Sequence, residues 1–233
     1  MKGGTDMDYQ KFDRYCKKLI KCYSKLDTDA IYQTAPCADE ESIKEVEESL
    51  GVKLPGQLRD FFLNFSEEVE ISAFFPDDFC HFLPKKFKGI FGVQCTISLE
   101  EVENNENSRR DWVSECFNNE ENEYDRVWHK KLGIIEVGNG DIIALDTETN
   151  PDNPPVVYLS HDDGEGHGAV LGKDFDTFLM NLISVGGCGM EDWQILPFVP
   201  DMQKGIDPDC NNAKEFRKII GFDLDKSYPE DFI

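Results

Sequence analysis

The stretch LGIIEVGNGDIIALD, residues 132–146, carries the clearest local structural signal of this chain. Two apolar runs, Leu132 to Val137 and Ile142 to Leu145, flank the tripeptide GNG at 138–140. Apolar runs of this length are typical of strands, and glycine and asparagine tolerate the positive φ angles of a tight turn. The stretch therefore predicts an antiparallel β-hairpin.

Further strands are predicted on both sides of this hairpin. Apolar residues alternate with other residues in two segments before it, and two short apolar runs follow it, as expected of strands joined by short antiparallel connections. The additional strands are predicted at 69–73, 91–97, 156–159 and 169–171.

Helices are predicted where apolar residues recur at three- and four-residue steps. Asp39 and Ser98 are suitable N-cap residues, and Gly51 is suited to the left-handed conformation that ends a helix. The helices are expected near 9–26, 39–50, 54–65, 98–119, 175–183 and 213–220. Together the elements predict the α+β class: a single domain with a twisted, mainly antiparallel sheet flanked by helices.

The chain is strongly acidic. It contains 24 Lys and Arg residues against 47 Asp and Glu residues, which gives a formal charge of −23. Because like charges repel, nucleic acids and anionic membrane surfaces are excluded as partners. The surplus carboxylates either keep the protein soluble or favour a basic protein partner.

The composition also predicts a cytoplasmic location. The first ten residues, MKGGTDMDYQ, contain no apolar stretch of the kind found in secretory signals. No segment approaches the roughly 20 apolar residues that span a bilayer. The eight cysteines are scattered without a CxxC pair, which favours free thiols over a disulfide framework.

Three stretches, in this order, resemble the SMI1/KNR4 (SUKH) family. They are IKEVEESLGVKLPGQLRDFFLNF at 43–65, the hairpin at 132–146, and VVYLSHDDGEGHGAVLGKDFDTFL at 156–179. The resemblance implies an α+β fold and a protein-binding role, with no catalytic site and no cofactor. Bacterial members resemble immunity proteins that neutralise toxins, commonly nucleases, and fungal members resemble regulators of cell-wall synthesis.

The extent of the resemblance suggests how the chain is organised. We predict an SMI1/KNR4-like domain at 39–185, preceded by an N-terminal helical extension at 1–38. A C-terminal extension at 186–233 is expected to pack on this domain. The three tryptophans are predicted to be core or domain-closing residues and not partner anchors: Trp112, Trp128 and Trp193.

Three stretches of the sequence contain residue types that bind metals. The acidic loop HDDGEGHG, residues 161–168, offers two imidazoles and three carboxylates, which are ligand types for zinc. Its spacing matches no recognised ligand motif, and its glycines are typical of a turn. Stretches beginning at Asp146 and Asp207 mimic the start of an EF-hand loop but lack its later ligands. We predict no metal and no cofactor.

Catalysis is not expected either. Cys80 beside His81 could suggest a thiolate nucleophile, but adjacent residues on an extended chain point their side chains apart. The glycines at 138–140 join two strands, and no helix N-terminus follows them to receive a phosphate. A metal-dependent hydrolase remains the least favoured alternative.

The favoured function is binding of a protein partner through acidic residues. One hypothesis is an immunity-type protein that neutralises a cognate toxin, for which a basic nuclease fits best. The other is an intracellular scaffold or regulator of envelope synthesis, which would have many weak partners. The candidate partner-binding residues are Glu120, Glu121, Glu123, Asp141, His161, Asp162, Asp163 and Glu165.

Overall fold

The computed structural model describes residues 7–26 and 29–225. Residues 1–6, 27–28 and 226–233, which belong to the two predicted extensions, lie outside the described residues. The elements are α1 (Tyr9–Ser24), β1 (Ile31–Thr34), α2 (Glu40–Leu50), α3 (Gly56–Asn64), β2 (Glu68–Phe74), α4 (Asp77–Phe82), β3 (Gly92–Ser98), α5 (Leu99–Glu115), α6 (Glu123–Trp128), β4 (Leu132–Glu136), β5 (Ile142–Leu145), β6 (Val156–Leu159), β7 (Val170–Gly172), α7 (Phe175–Ser184), α8 (Asp192–Ile195) and α9 (Asn211–Ile220). Short 3-10 turns lie at Lys85–Phe87 and Leu196–Phe198.

The predicted α+β class with antiparallel strands is confirmed. The strands form two sheets, one of three strands in the order β1-β2-β3 and one of four strands in the order β4-β5-β6-β7. The sequence predicted one sheet. The difference arises at β3 and β4, which are neighbours in the chain order of strands but are not hydrogen-bonded to each other.

The hairpin at 132–146 forms as predicted. Leu132 pairs with Leu145 in the antiparallel register of β4 and β5. The Val137 amide donates to the Asp141 carbonyl at 2.8 Å, and Gly140 closes the turn at φ +93°. A Cβ atom on Gly133 would lie only 2.7 Å from the Asn105 carbonyl oxygen. Glycine at this position therefore lets helix α5 lie directly against β4.

The helix ends also follow the sequence. The Asp39 carboxylate accepts from the Ser42 amide at 2.9 Å, and Gly51 ends α2 at φ +70°. Ser98 precedes α5 but its side chain makes no capping bond.

The short helices α4 and α6 were not predicted. Cys80 and His81 lie in α4, so the expectation of an extended chain at that dipeptide was wrong.

The main core joins helices α1 and α9 to the middle of the chain. The Tyr23 ring of α1 stacks on Phe75 with 5.1 Å between ring centroids, and the Tyr23 hydroxyl donates to the Gly186 carbonyl at 3.1 Å. Phe216 of α9 contacts Phe75 edge-on at 6.3 Å. Strand β1, within the predicted N-terminal extension, is an edge strand of the first sheet. No helix in the described ranges has the length and apolarity needed to cross a bilayer.

A second, smaller apolar cluster covers the other face of the four-stranded sheet. Trp128 lies at its centre and stacks on Phe117 with 4.7 Å between centroids. The residues of β5 and β6 are consequently buried on both faces, which explains their uninterrupted apolar sequence. This cluster supports the segment that carries most of the predicted binding residues.

Candidate functional site

The acidic loop at 161–168 packs against the start of α6 through Tyr124. The Tyr124 hydroxyl donates to the Ser160 carbonyl at 2.5 Å and accepts from the Asp163 amide at 3.0 Å. The Tyr124 ring stacks on the His167 ring with 3.7 Å between centroids. These contacts hold the loop and the helix start in one fixed arrangement.

The side chain of His167 also stabilises the contact between the acidic loop and the start of α6. Its Nδ1 accepts from the Ser160 amide at 3.1 Å, and its Nε2 lies 3.0 Å from the Tyr124 carbonyl oxygen. An amide can only donate and a carbonyl can only accept, so the proton sits on Nε2 and the ring is neutral. Burial lowers the pKa of His167, against the opposing effect of the Tyr124 carbonyl. Both nitrogens are therefore bonded to backbone groups, one of Ser160 and one of Tyr124.

Six predicted binding residues form an exposed surface that we call the acidic platform. The contacts of Tyr124 hold the acidic loop beside the start of α6, and this brings the six residues together. Within the described part of the chain, only Glu120 of the platform has an ion-pair contact, 3.5 Å from His129. The platform consists of Glu120, Glu121, Glu123, Asp162, Asp163 and Glu165, all of them exposed.

Asp141 does not belong to this surface. Its exposure is 1%, so the prediction that it lies on an acidic face was wrong. Its Oδ1 accepts from the backbone amide and Nδ1 of His161 at 2.8 and 2.7 Å. Its Oδ2 accepts from Tyr158 Oη at 2.7 Å and Asn139 Nδ2 at 2.8 Å. Asp141 therefore ties the hairpin turn to the acidic loop.

The charge of Asp141 is stabilised by these bonds. Burial favours the neutral form, but the hydrogen bonds from Tyr158, His161 and Asn139 outweigh it and hold the pKa of Asp141 below its usual range. His161 is half-buried, and its ring stacks on Trp112 with 4.8 Å between centroids. His161 therefore supports the edge of the platform more than it extends from it.

The arrangement nearest to a metal-ligand set within the described residues includes Asp141. Potential ligand atoms of Asp141, His161 and Asp162 all lie within 4.8 Å of one another. Carboxylate and imidazole suit zinc and similar ions. The four bonds already accepted by Asp141 occupy both of its oxygens, and His161 Nδ1 is a donor because it faces a carboxylate. An ion bound there would have to displace these bonds.

A cleft of about 790 Å³ lies between the two sheets. Its walls are strand β3, the β4–β5 hairpin, the first turns of α5 and the segment 189–194. Three carboxylates line it, Glu101, Glu136 and Glu191, and none of the described lining residues is Lys or Arg. Phe74 and Phe91, 55% and 48% exposed, lie where β3 begins.

The two strand edges that face this cleft differ. In β3 the odd-numbered residues bond to β2, as shown by the Phe75 amide donating to the Phe91 carbonyl at 2.7 Å. The even-numbered residues therefore direct their backbone groups outward. The Gln94 amide donates to the Cys188 carbonyl at a long 3.5 Å. Between residues 29 and 225, the Gln94 carbonyl and both backbone groups of Thr96 have no hydrogen-bond partner.

The facing edge of β4 is closed by side chains of α5. Asn105 Nδ2 donates to the Ile134 carbonyl at 2.9 Å, and Asn105 Oδ1 accepts from the Glu136 amide at 3.1 Å. The Gly133 amide donates to Glu106 Oε2 at 2.8 Å. The carboxamide of Asn105 thus takes the place of a neighbouring strand. These bonds can form because Gly133, which has no side chain, lets α5 lie close to β4.

The cleft and the acidic platform meet at the hairpin turn. Trp112 Nε1 donates to the Gly140 carbonyl at 3.1 Å, and Trp112 carries the stacked His161 ring. Gly140 also lines the cleft. The exposed surface is therefore acidic on both sides of the GNG tripeptide.

Sequence reasoning missed the cleft. Its walls come from four separate parts of the chain, and its open edge depends on which backbone groups face outward, for which no sequence signal exists. One residue near it was also placed wrongly, because Phe91, predicted as a buried strand position, is exposed. Trp193, predicted as a core or domain-closing residue, is 46% exposed. Trp128 is fully buried as predicted, and Trp112 is half-buried.

The comparisons with known proteins bear on this fold and site together. No curated protein matches the chain at a significant level of similarity. Residues 37–181 match the model of the SMI1 / KNR4 family (SUKH-1), a region that includes the hairpin, the acidic platform and most of the cleft. The match covers more than half of the 233 residues. The chain therefore belongs to the SMI1/KNR4 (SUKH-1) family.

Proposed function

We propose that this chain is an immunity-type protein that binds a basic protein toxin and neutralises it by occupying its surface, without catalysing a reaction. The observation that carries the proposal is the acidic platform, whose carboxylates are exposed and, among described residues, lack Lys or Arg partners. Unpaired surface charge of one sign accelerates encounter with a partner of the other sign and disfavours wrong partners.

The rigidity of the platform supports the same function. The bonds made by Tyr124, His167 and Asp141 hold the backbone that carries these carboxylates in place before any partner arrives. A preorganised surface loses less conformational entropy on binding, which increases affinity. This is the property required of an inhibitor that must outcompete the target of a toxin.

A nuclease fits the charge of the partner. An enzyme that binds nucleic acid presents Lys and Arg to phosphates, so its functional surface is basic. An acidic platform placed on that surface would exclude nucleic acid by competing for the same cations. The proposed complex would form rapidly at low salt and more slowly as salt screens the charges.

Co-expression tests the proposal directly. The chain is purified together with each protein encoded beside its gene, and each neighbour is also expressed alone to measure toxicity. We expect one neighbour to bind tightly and to be toxic without this chain. If no neighbour is both bound and toxic, the proposal is wrong. A pull-down that yields many weak partners instead would favour an intracellular scaffold or regulator of envelope synthesis.

Charge reversal tests the role of the platform. The double variant Glu121→Lys/Glu165→Lys is compared with Glu45→Lys/Asp152→Lys, which changes net charge equally at exposed carboxylates elsewhere. We expect the platform variant to lower the association rate with the toxin at least about tenfold more than the control at low salt. Equal rates for the two variants would show that only the overall charge matters.

The geometric set of Asp141, His161 and Asp162 keeps a metal-dependent hydrolase open as a second candidate. Elemental analysis of protein purified without chelators would detect stoichiometric zinc or another divalent ion if this set is a metal site. His161→Ala should then abolish both the metal and the function. Intact toxin neutralisation by His161→Ala would reject the candidate.

A further inference from the structure

The cleft between the two sheets has the features of a binding site for an extended polypeptide. One wall is β3, a seven-residue strand whose outer edge carries a free carbonyl at Gln94 and a free amide and carbonyl at Thr96 in the described structure. A peptide laid along such an edge gains main-chain hydrogen bonds as an additional strand. The cleft volume of about 790 Å³ supplies room beside that edge.

The opposite wall limits where the added strand can bond. The Ile134 carbonyl and the Glu136 amide are already paired with Asn105, and the Gly133 amide is paired with Glu106. A guest strand therefore bonds along β3, because these three backbone groups of β4 are already taken. This asymmetry defines which edge is extended.

The charges that line the cleft define the side chains of the guest. Glu101, Glu136 and Glu191 have no ion-pair partner between residues 29 and 225. Burial and repulsion from Asp141 and Asp192 raise the pKa of Glu191, which is the response of a carboxylate that lacks a nearby cation. A Lys or Arg side chain entering the cleft would supply the missing counter-charge.

The apolar side chains at the start of β3 add a second requirement. Phe74 and Phe91 are both about half exposed and line the cleft beside Gly92, which has no side chain to cover them. Apolar side chains of a guest would remove these rings from water. In an extended strand successive side chains point to opposite faces. A guest whose cationic side chains contact the carboxylates on one face and whose apolar side chains cover the rings on the other would therefore alternate the two types.

We propose that the cleft binds an extended protein segment in which Lys or Arg alternates with apolar residues, as an added strand on the outer edge of β3. The inference rests on the proposed function in that the segment belongs to the protein partner. It adds the site, the edge and the backbone conformation of the bound segment. A second copy of this chain is the poorer occupant because each copy carries a formal charge of −23.

A defined peptide tests the proposal without knowledge of the partner. The probe is an acetylated, amidated heptapeptide of alternating Lys and Val, matched in length to β3. The controls are the same peptide with Glu in place of Lys, and one N-methylated at alternate residues so that it lacks the amides facing β3. We expect saturable binding of the first peptide by isothermal titration calorimetry, and a loss of at least about tenfold in affinity for each control.

Matched variants locate the peptide. Glu101 lines the cleft, whereas Glu100, in the same helical turn, lines a different depression. Glu101→Lys and Glu100→Lys therefore make the same charge change inside and outside the cleft. We expect Glu101→Lys and Thr96→Lys to weaken peptide binding at least about tenfold, and Glu100→Lys to weaken it less than about threefold. Slower hydrogen exchange of the Thr96 amide in the complex would report the new main-chain bond.

The outcomes separate this inference from the proposed function. Equal loss of peptide affinity in Glu100→Lys and Glu101→Lys, or unchanged exchange at Thr96, would overturn the cleft as the site while leaving toxin binding through the platform intact. A dimer of the wild-type chain in sedimentation that Thr96→Lys dissociates would make a second copy the occupant and would overturn the inference. Peptide binding in the cleft with no toxic neighbour would instead overturn the proposed function alone.

Discussion

The edges of β3 and β4 face each other across the same cleft, yet the chain treats them in opposite ways. The β4 edge is closed by Asn105 and Glu106, while the β3 edge keeps free backbone groups at Gln94 and Thr96. Free strand edges invite pairing with other chains, so proteins usually cover them. An edge left open beside one that is closed with buried polar side chains is consistent with the proposed binding of a guest strand to β3.

The closed edge depends most on Glu106. This carboxylate is 2% exposed and is bonded to Arg109 through both oxygens at 2.8 Å, to Arg110 at 2.7 Å and to the Gly133 amide. Glu106→Ala would leave Arg109 buried without its counter-charge. We expect a loss of about 3–5 kcal/mol in the free energy of unfolding, measured by urea denaturation. Glu101→Ala on the exposed face of the same helix serves as the control. A loss below about 1 kcal/mol for Glu106→Ala would contradict the importance of this ion pair.

The second largest effect is expected at Asn105. Asn105→Ala would leave the Ile134 carbonyl and the Glu136 amide without partners on the closed edge. We expect a loss of about 1–3 kcal/mol, because unsatisfied backbone groups cost their desolvation energy. Asn105→Asp keeps the acceptor for Glu136 and removes the donor for Ile134, so hydrogen exchange at Glu136 should stay slower in Asp than in Ala. Identical exchange in the two variants would argue against the bond to Glu136.

Removal of the Glu191 carboxylate from the cleft should raise the free energy of unfolding, whereas the two substitutions at the closed edge lower it. The raised pKa of Glu191 means that the folded state disfavours the charged carboxylate. At a pH above this raised pKa the charge therefore lowers the free energy of unfolding. The penalty disappears as the pH falls towards the pKa of Glu in the unfolded chain, about 4.3. Glu191→Gln should therefore be more stable than the wild type at neutral pH, by about 1 kcal/mol or less because the side chain is partly exposed. Thermal unfolding between pH 4 and pH 8 measures the difference. A Glu191→Gln protein that is less stable at neutral pH would show that a cation already compensates this charge.

The smallest effect is expected at the open edge itself. Thr96 is exposed, and between residues 29 and 225 its backbone groups have no partner. Thr96→Lys should change the free energy of unfolding by no more than about 0.5 kcal/mol, as for other surface positions. Urea denaturation alongside Asn105→Ala tests the contrast between the edges directly. A large loss at Thr96 would mean that this edge also contributes to folding.

The sequence predicted the elements whose signals are local. The hairpin at 132–146, the cap at Asp39 and the helix end at Gly51 each depend on a few adjacent residues, and each is present. The same is true of the buried strands β5 and β6, whose apolar residues face clusters on both sides. Local chemistry was sufficient there because it does not depend on which distant segment packs against it.

The errors arose where position in the whole molecule decides the outcome. Strand β1 has mostly exposed residues, so it lacks the apolar alternation that indicates a strand, and it forms because β2 offers an edge. Asp141 was assigned to the surface because aspartate is usually exposed. In the folded chain it is buried and bonded to His161 and Tyr158. The division into two sheets depends on Asn105 and Glu106 reaching β4, which no single stretch of sequence reveals.

The Tyr23 side chain has a practical consequence for the choice of protein to study. It joins the segment before the family-matched region, 37–181, to the segment after it, through its stack on Phe75 and its bond to Gly186. A fragment cut to the matched region would lose Tyr23 and Phe216, two aromatic neighbours of Phe75. Phe75 follows β2, which supports the open edge of β3, so a trimmed fragment would weaken the wall on which the proposed guest strand lies. Binding experiments therefore belong on the intact chain.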